Sequence, residues 1–172
     1  QRTFGRIRAT LNANLNYSKI NQFIEDRRSV NEGFTQSYTP ELRTNFKKAP
    51  NVSLKYNFRV STNYQGPNET TFYSNSPSIN FDAYIWKAVT FKTDYTYSRQ
   101  TLKGGNTGSF ETWNASLAYR KNKDAKWEYE VIATNLLDID SRLSNTATNL
   151  FVSESRIFIQ PRFVSFRLRY EI

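Results

Sequence analysis

From residue 164 to the last residue, apolar and polar side chains alternate without a break. The apolar positions are Val164, Phe166, Leu168, Tyr170 and Ile172, and the polar ones are Ser165, Arg167, Arg169 and Glu171. A period of two with unlike sides predicts a β-strand between two different solvents. A terminal strand has an edge that needs a partner, and closure of a barrel is the usual way to supply one.

The same alternation recurs along the whole chain. It is clear at residues 7–17, 52–60, 79–85, 91–97, 113–119 and 127–133. A weaker run at 38–46 is interrupted by Pro40, and the pattern changes parity near Pro161, where we expect a bulge. We therefore predict about eight long antiparallel strands arranged as four hairpins.

Composition favours a membrane barrel over other classes. Hydrophobic residues make up 38% and the mean hydropathy is −0.70, so no segment approaches the roughly 20 apolar residues of a transmembrane helix. A transmembrane barrel needs apolar side chains only at alternate positions. The fold class predicted is all-β, a transmembrane antiparallel β-barrel, formed by residues 1–172 as one domain.

Aromatic residues fall near both ends of the predicted strands. They amount to 16% of the chain, which suits the aromatic girdles of outer-membrane barrels, although aromatic residues also simply favour strands. One candidate girdle is Phe46, Trp86, Tyr119, Trp127 and Tyr170, and the other is Tyr17, Tyr38, Tyr64, Tyr97 and Trp113.

Connection lengths predict the orientation. Residues 47–51, 86–88 and 120–126 are short or polar and are expected on the periplasmic side. Residues 20–36, 64–76, 99–110 and 138–156 are expected to be long external loops. Basic residues fall in both sets: Lys47, Lys48, Lys87, Arg120, Lys121 and Lys123 in the short turns, and Arg27, Arg28, Arg99 and Lys103 outside. The outer set either binds lipopolysaccharide phosphates or is merely solvated.

The charge pattern and missing residue types argue against several functions. The net charge is +9, but the basic residues are scattered, which disfavours nucleic-acid binding. With no cysteine and no histidine, disulfides and histidine-based catalytic or metal sites are excluded. A glycosidase-type pair from Glu128 and Glu130 is conceivable, but a solvated position suits them better. We expect no enzyme, cofactor or metal site.

The polar side of the predicted strands is expected to face the barrel lumen. Its charged and amide residues are Arg8, Asn12, Lys55, Arg59, Asp82, Lys92, Asp94, Glu128, Glu130, Arg167 and Arg169. Opposite charges among them are expected to pair if they fill a small interior. The final strand, through Phe166, Leu168, Tyr170 and Ile172, is expected to be the signal that the barrel-assembly machinery captures by strand addition.

Two motifs resemble the carboxyl-terminal end of TonB-dependent receptors. The first is Asn135-Leu-Leu-Asp138, and the second is the final strand that begins at Pro161-Arg162. The last residue, Ile172, departs from the terminal aromatic of that family. The turn at 47–51 and the Asn- and Tyr-rich hairpins more closely resemble its large outer-membrane β-barrel branch, which carries a carboxypeptidase-regulatory-like amino-terminal domain.

The resemblance implies a location in the bacterial outer membrane and a role in ligand uptake. In that family a 22-stranded barrel surrounds a plug, so the chain is expected to be the carboxyl-terminal part of such a barrel, with no signal peptide or plug of its own. The implied partners are outer-membrane lipid and lipopolysaccharide, the missing barrel and plug, TonB through that missing part, and a surface lipoprotein. The alternative is a complete small eight-stranded barrel with a structural or adhesion role. A terminal strand paired to residues 4–17 would distinguish the complete barrel.

Overall fold

The computed structural model describes residues 1–24, 27–47, 50–86, 88–105, 107–122, 124–147 and 152–171. Within them the regular structure is entirely β, as predicted. The strands are β1 (Arg2–Phe4), β2 (Ile7–Ile24), β3 (Arg27–Thr44), β4 (Asn51–Gln65), β5 (Asn68–Ile85), β6 (Val89–Leu102), β7 (Thr107–Tyr119), β8 (Trp127–Thr134), β9 (Ser141–Ala147), β10 (Val152–Phe158) and β11 (Phe163–Tyr170).

Nine strands form one antiparallel sheet in the order β1-β2-β3-β4-β5-β6-β7-β8-β11. Strands β9 and β10 form a separate two-stranded sheet. The last strand pairs with β8 over eight register positions, from Phe163 opposite Thr134 to Tyr170 opposite Trp127. The sequence pattern predicts the run at residues 127–133 as the hairpin partner of the terminal strand, and this pairing confirms it. Eight strands of the sheet correspond to the predicted set, and the short β1 was not foreseen.

The sheet is open. Strands β1 and β11 lie at its two ends, and in the described part of the chain β11 pairs only with β8. The described strands therefore do not close into the barrel that the sequence predicts. The edge of β11 that faces away from β8 has no strand against it in that part of the chain.

Three of the four predictions of a long loop are wrong. β2 continues to Ile24 and β3 begins at Arg27, so most of residues 20–36 is strand. Residues 64–76 and 99–110 are likewise mostly strand, and the first contains a tight turn with Gly66 at a φ of 59°. Alternation vanishes in these segments because apolar residues such as Ile20 and Phe23 fall on both sides of the strand, while the backbone ladder continues. Residues 138–156 contain β9 and part of β10.

The predicted bulge near Pro161 is also wrong. The parity change falls between the end of β10 and the start of β11, so it marks a connection between two strands. Pro40 lies inside a continuous β3, where the pairing with β4 is interrupted between Tyr38–Phe58 and Glu41–Lys55 and then resumes in the same register. A proline has no amide hydrogen for the ladder, which accounts for the gap.

The sheet is a single layer with almost no core. Among the described residues, Ala83 is the one buried apolar side chain, and Asn31, Thr71 and Asn135 are the buried polar ones. Soluble domains bury the apolar side of a sheet against a second layer. The described residues provide no such layer.

Candidate functional site

One side of the sheet, the apolar face, carries nearly all of the apolar residues of the predicted alternating runs. Cross-strand partners lie on the same side of a sheet, and the register joins each apolar run to the next. Across the sheet this face carries Ile7, Leu11, Leu15, Leu42, Leu54, Ile79, Phe81, Phe91, Leu117, Val131, Val164, Phe166 and Leu168. Most of these side chains are exposed, with Leu11 at 64% and Phe166 at 66%.

The apolar face has a defined height along the strands. In β2 the apolar alternation runs from Ile7 to Tyr17, although the strand itself has 18 residues. The next residue on that side is Lys19, whose Nζ lies 2.6 Å from Oε1 of Glu32 in an exposed ion pair. A transmembrane β-strand needs about 9–11 residues. The apolar part of β2 has that length, and in its outer part polar and apolar residues are mixed on both sides.

Aromatic side chains mark the margin of the apolar face nearest the short turns. The rings of Trp127 and Tyr170 lie 4.7 Å apart between centroids, and those of Tyr119 and Tyr129 lie 6.4 Å apart. Trp86, in the β5–β6 turn, is 87% exposed and has a φ of 52°.

At the opposite margin, polar atoms of aromatic side chains form hydrogen bonds with other side chains of the sheet. The Tyr95 hydroxyl donates to Oε2 of Glu111 at 2.9 Å, and Nε1 of Trp113 donates to the Thr93 hydroxyl at 2.9 Å. Whether the aromatic residues of the two margins form girdles at a membrane surface stays a prediction.

Two shallow cavities indent the apolar face. One, of about 470 Å³, is lined mainly by Pro40, Leu42, Leu54, Tyr56, Pro77, Ile79 and Tyr95. The other, of about 440 Å³, is lined by Ile79, Phe81, Thr93, Tyr95, Trp113 and Leu137. The hydroxyl of Tyr56 donates to Asn75 at 2.6 Å. Because the tyrosine hydroxyls and the indole are already bonded, both cavities present apolar surface.

The opposite side of the sheet, the polar face, carries all eleven predicted lumen-facing residues. Two ion pairs join β8 to β11 on it: Arg167 with Glu130 at 3.0 Å, and Arg169 with Glu128 at 2.8 Å. Each of the two glutamates of the conceivable glycosidase pair is thus bound to an arginine. The expected pairing of opposite charges is formed in this part of the sheet.

The other charged residues among the predicted lumen-facing ones form no ion pairs within the described residues. Asp94 accepts a hydrogen bond from Asn114 at 2.9 Å, and Asp82 accepts one from Asn51 at 3.4 Å. Lys92 lies opposite Asp82 in the register. Within the described residues, Arg8, Lys55, Arg59 and Lys92 have no carboxylate within ion-pair distance. Whether this face lines a lumen stays a prediction.

The Asn135-to-Asp138 motif forms a structural junction that sequence reasoning did not foresee. Asn135 is buried and has a φ of 51°, and its Nδ2 donates to the carbonyl oxygens of Ile139 at 3.0 Å and Gln160 at 2.9 Å. Its Oδ1 accepts from the backbone nitrogen of Ile139 at 3.0 Å. Asp138 accepts from the backbone nitrogen of Arg162 at 3.1 Å. The two motifs that carry the family resemblance therefore meet in space.

The short-turn end has its own ion pair. Arg120 donates through Nη1 to Oε1 of Glu171 at 3.0 Å, and through Nη2 to the other carboxylate oxygen. This hydrogen bonding, helped by the positive charge, lowers the pKa of Glu171 below its ordinary value of 4.5. The backbone nitrogen of Glu171 also donates to the carbonyl oxygen of Lys126 at 2.9 Å. The end of the final strand is thus held at two points to the connection between β7 and β8.

The proposed assembly residues are only partly described. Phe166, Leu168 and Tyr170 are exposed on the apolar face, and Phe166 contacts the ring of Tyr129. Ile172 lies outside the described residues. Of the outer basic residues, Lys103 is bound to Glu69 at 3.1 Å, Arg28 and Arg99 are exposed, and the side chain of Arg27 is not described. Lys48, Lys87 and Lys123 also lie outside the described part.

Potential metal ligands do not cluster in the part of the chain that the structure describes. Groups of three or more potential metal ligands are absent there. None of its segments forms a helix that is long and apolar enough to span a membrane.

Comparison with known proteins identifies no relative of this chain. No protein-family model, curated protein or solved structure matches this chain. The resemblance to TonB-dependent receptors therefore rests on the two motifs alone.

Proposed function

We propose that this sheet is a wall segment of an outer-membrane β-barrel of the TonB-dependent receptor type, which takes up a ligand across that membrane. The observation that carries the proposal is the continuous, exposed apolar face of a sheet that has almost no core. In this role the apolar face contacts lipid and the polar face lines the interior.

The energetics favour an apolar medium against that face. Burying a large apolar side chain contributes about 1.5–3 kcal/mol, and soluble monomers rarely expose contiguous apolar patches larger than a few hundred Å². Here Leu11, Leu15, Val164 and Phe166 are each more than 60% exposed. Lipid on this side would remove all of them from water at once.

The open edges support a barrel that is larger than this sheet. Backbone groups at a sheet edge cannot be left unpaired in hydrocarbon. The edges at β1 and β11 therefore need partner strands, and a large receptor barrel, with a plug and a TonB contact outside this chain, would supply them. Lipopolysaccharide and a surface lipoprotein are the proposed partners at the outer end of the strands.

A complete eight-stranded barrel with a structural or adhesion role is the second candidate. It is favoured by one observation, that the sheet contains eight strands of eight residues or more. Bacterial outer-membrane barrels have even strand numbers from eight upwards. In that case β11 would have to pair with β1 or β2.

Spin labels on neighbouring residues test the membrane assignment. The chain contains no cysteine, so Leu11→Cys and Asn12→Cys each provide a single labelling site on opposite faces of β2. In the protein reconstituted in lipid vesicles, we expect the label at 11 to be relaxed by oxygen, which concentrates in lipid. The label at 12 should be relaxed by a water-soluble nickel complex. Equal access of the nickel complex to both labels would refute the proposal.

A further inference from the structure

Charge is distributed unevenly over the polar face. Near β8 and β11 the arginines are bound to glutamates, as described above. Among the side chains that the structure describes in β2, β3 and β4, four cations lie on the same face: Arg8, Arg43, Lys55 and Arg59. Glu41 is the one acidic residue among the described residues of these three strands on that side. The described side chains of this half of the face therefore have an excess of three positive charges.

Two of the cations lie directly opposite each other. Arg8 and Arg43 are cross-strand partners in the β2–β3 ladder, and both are exposed. Cβ atoms of such partners are about 4.5–5.5 Å apart, and like charges at that spacing destabilise a sheet. In the described part of the chain, neither has a carboxylate within 4.0 Å. An oxyanion between the two guanidinium groups would relieve this repulsion through paired hydrogen bonds.

The other two cations continue the line along the strands. Lys55 lies opposite Glu41, two residues from the level of Arg43, and Arg59 lies opposite Ser37. Each two-residue step is about 6.6 Å along a strand. Glu41 is itself engaged, because Oε1 accepts a hydrogen bond from the Ser53 hydroxyl at 3.0 Å. The result is a row of cations with hydroxyl and amide side chains between them.

We propose that Arg8, Arg43, Lys55 and Arg59 form an anion-binding track for small solutes that carry carboxylate or phosphate groups. The proposal rests on the proposed function, in which this face lines the barrel, and it names the substrate class. Rows of Arg and Lys line the pores that pass anions, and several weak sites in series allow a solute to enter and leave. The Arg8–Arg43 pair is the strongest site of the track.

Binding of inorganic phosphate and of citrate to the reconstituted protein tests the track. We expect saturable binding that weakens about tenfold or more when the pair is neutralised by Arg8→Gln with Arg43→Gln. The matched control is Arg99→Gln, an exposed arginine on the other face that also has no ion pair in the described residues. Absence of saturable binding, or equal weakening by the control, would overturn the proposal. So would binding of an acidic peptide without binding of phosphate or citrate.

A second measurement uses the unaltered protein and does not depend on how the variants fold. Citrate should protect Arg8 and Arg43 from an arginine-specific dicarbonyl reagent, read by mass spectrometry, and should leave Arg99 reactive. Equal modification of all three with and without citrate would overturn the track. The spin labels at residues 11 and 12 report lipid contact independently, so failure of the track and failure of the membrane assignment give different results.

Discussion

Asn135 connects three segments of the chain through one side chain. It follows β8, binds Ile139 before β9, and binds Gln160 before β11. Its left-handed backbone suits asparagine better than most residues. The motif at 135–138 therefore has a structural explanation that is independent of the family it resembles: it closes the base of the β9–β10 hairpin and sets the start of β11.

Replacing Asn135 by alanine should lower the free energy of unfolding by about 1–3 kcal/mol, because buried partners lose their hydrogen bonds. Urea unfolding of the reconstituted protein measures this. Asn135→Gly is a control without the backbone strain that alanine has at a positive φ, so it measures the loss of the side-chain hydrogen bonds alone. Asn135→Asp keeps the acceptor for the Ile139 amide but loses the two N–H donors to Ile139 and Gln160. Unchanged stability in the alanine variant would show that the junction contributes nothing.

The Arg120–Glu171 pair predicts a pH dependence at the end of β11. A carboxyl whose pKa is lowered in the folded state contributes stability above its unfolded pKa, and that contribution is lost as pH falls through the folded value. We expect protection of the Glu171 amide against hydrogen exchange to fall below about pH 4.5. Glu171→Gln should reduce protection at pH 7, and its effect should shrink as the pH falls below 4.5. The effect is small because the pair is exposed. An identical pH profile in the variant would contradict it.

At the scale of the strand, alternation predicted the register wherever one side of the sheet is apolar. The runs that contain Leu11, Leu54 and Leu117 fall on one face, as expected. The same reasoning failed for residues 20–36, because apolar and polar residues are mixed on both sides of the strands there and leave no alternation to detect. Strand ends were therefore placed where the apolar face ends, and the strands themselves continue beyond it.

The register of β2 can be tested by charge insertion. Leu11 lies near the middle of the apolar run, so Leu11→Arg should destabilise the membrane-inserted protein by about 2–4 kcal/mol. Asn12→Arg is the matched control, since Asn12 lies one residue away on the polar face, and it should cost much less. Denaturant unfolding from lipid vesicles measures both. Equal tolerance of the two substitutions would rule out the assignment of faces.

At the scale of the molecule, pairing of β11 with β8 followed from the sequence pattern, but the open sheet did not. Nothing in the alternation of residues 7–17 or 164–172 states which strand lies beyond either edge, because any extended backbone can complete the ladder. The polar face was also only partly foreseen. The pairing of Arg167 and Arg169 with glutamates was expected from charge balance, whereas the uncompensated group around Arg43 emerged only from the register.

Distances between spin labels at Thr10 and Ser165 test closure. Seven strand intervals separate β2 from β11 in the sheet, which is about 34 Å along its surface. For a barrel completed by further strands we expect a separation of tens of ångströms. Labels at Ile132 and Ser165, which are direct partners, provide the short-distance control. A Thr10–Ser165 distance as short as that control would instead support the small closed barrel.

The near absence of buried apolar residues has a consequence for how such a sheet forms. A chain that keeps its apolar side chains on one outer surface gains little by collapsing in water, so the hydrophobic contribution arises only on transfer to the apolar phase. In the proposed setting, folding and insertion are then a single event. The free energy of unfolding would then depend on the bilayer as well as on the protein. It would change with the thickness of the hydrocarbon layer even if every residue stayed the same.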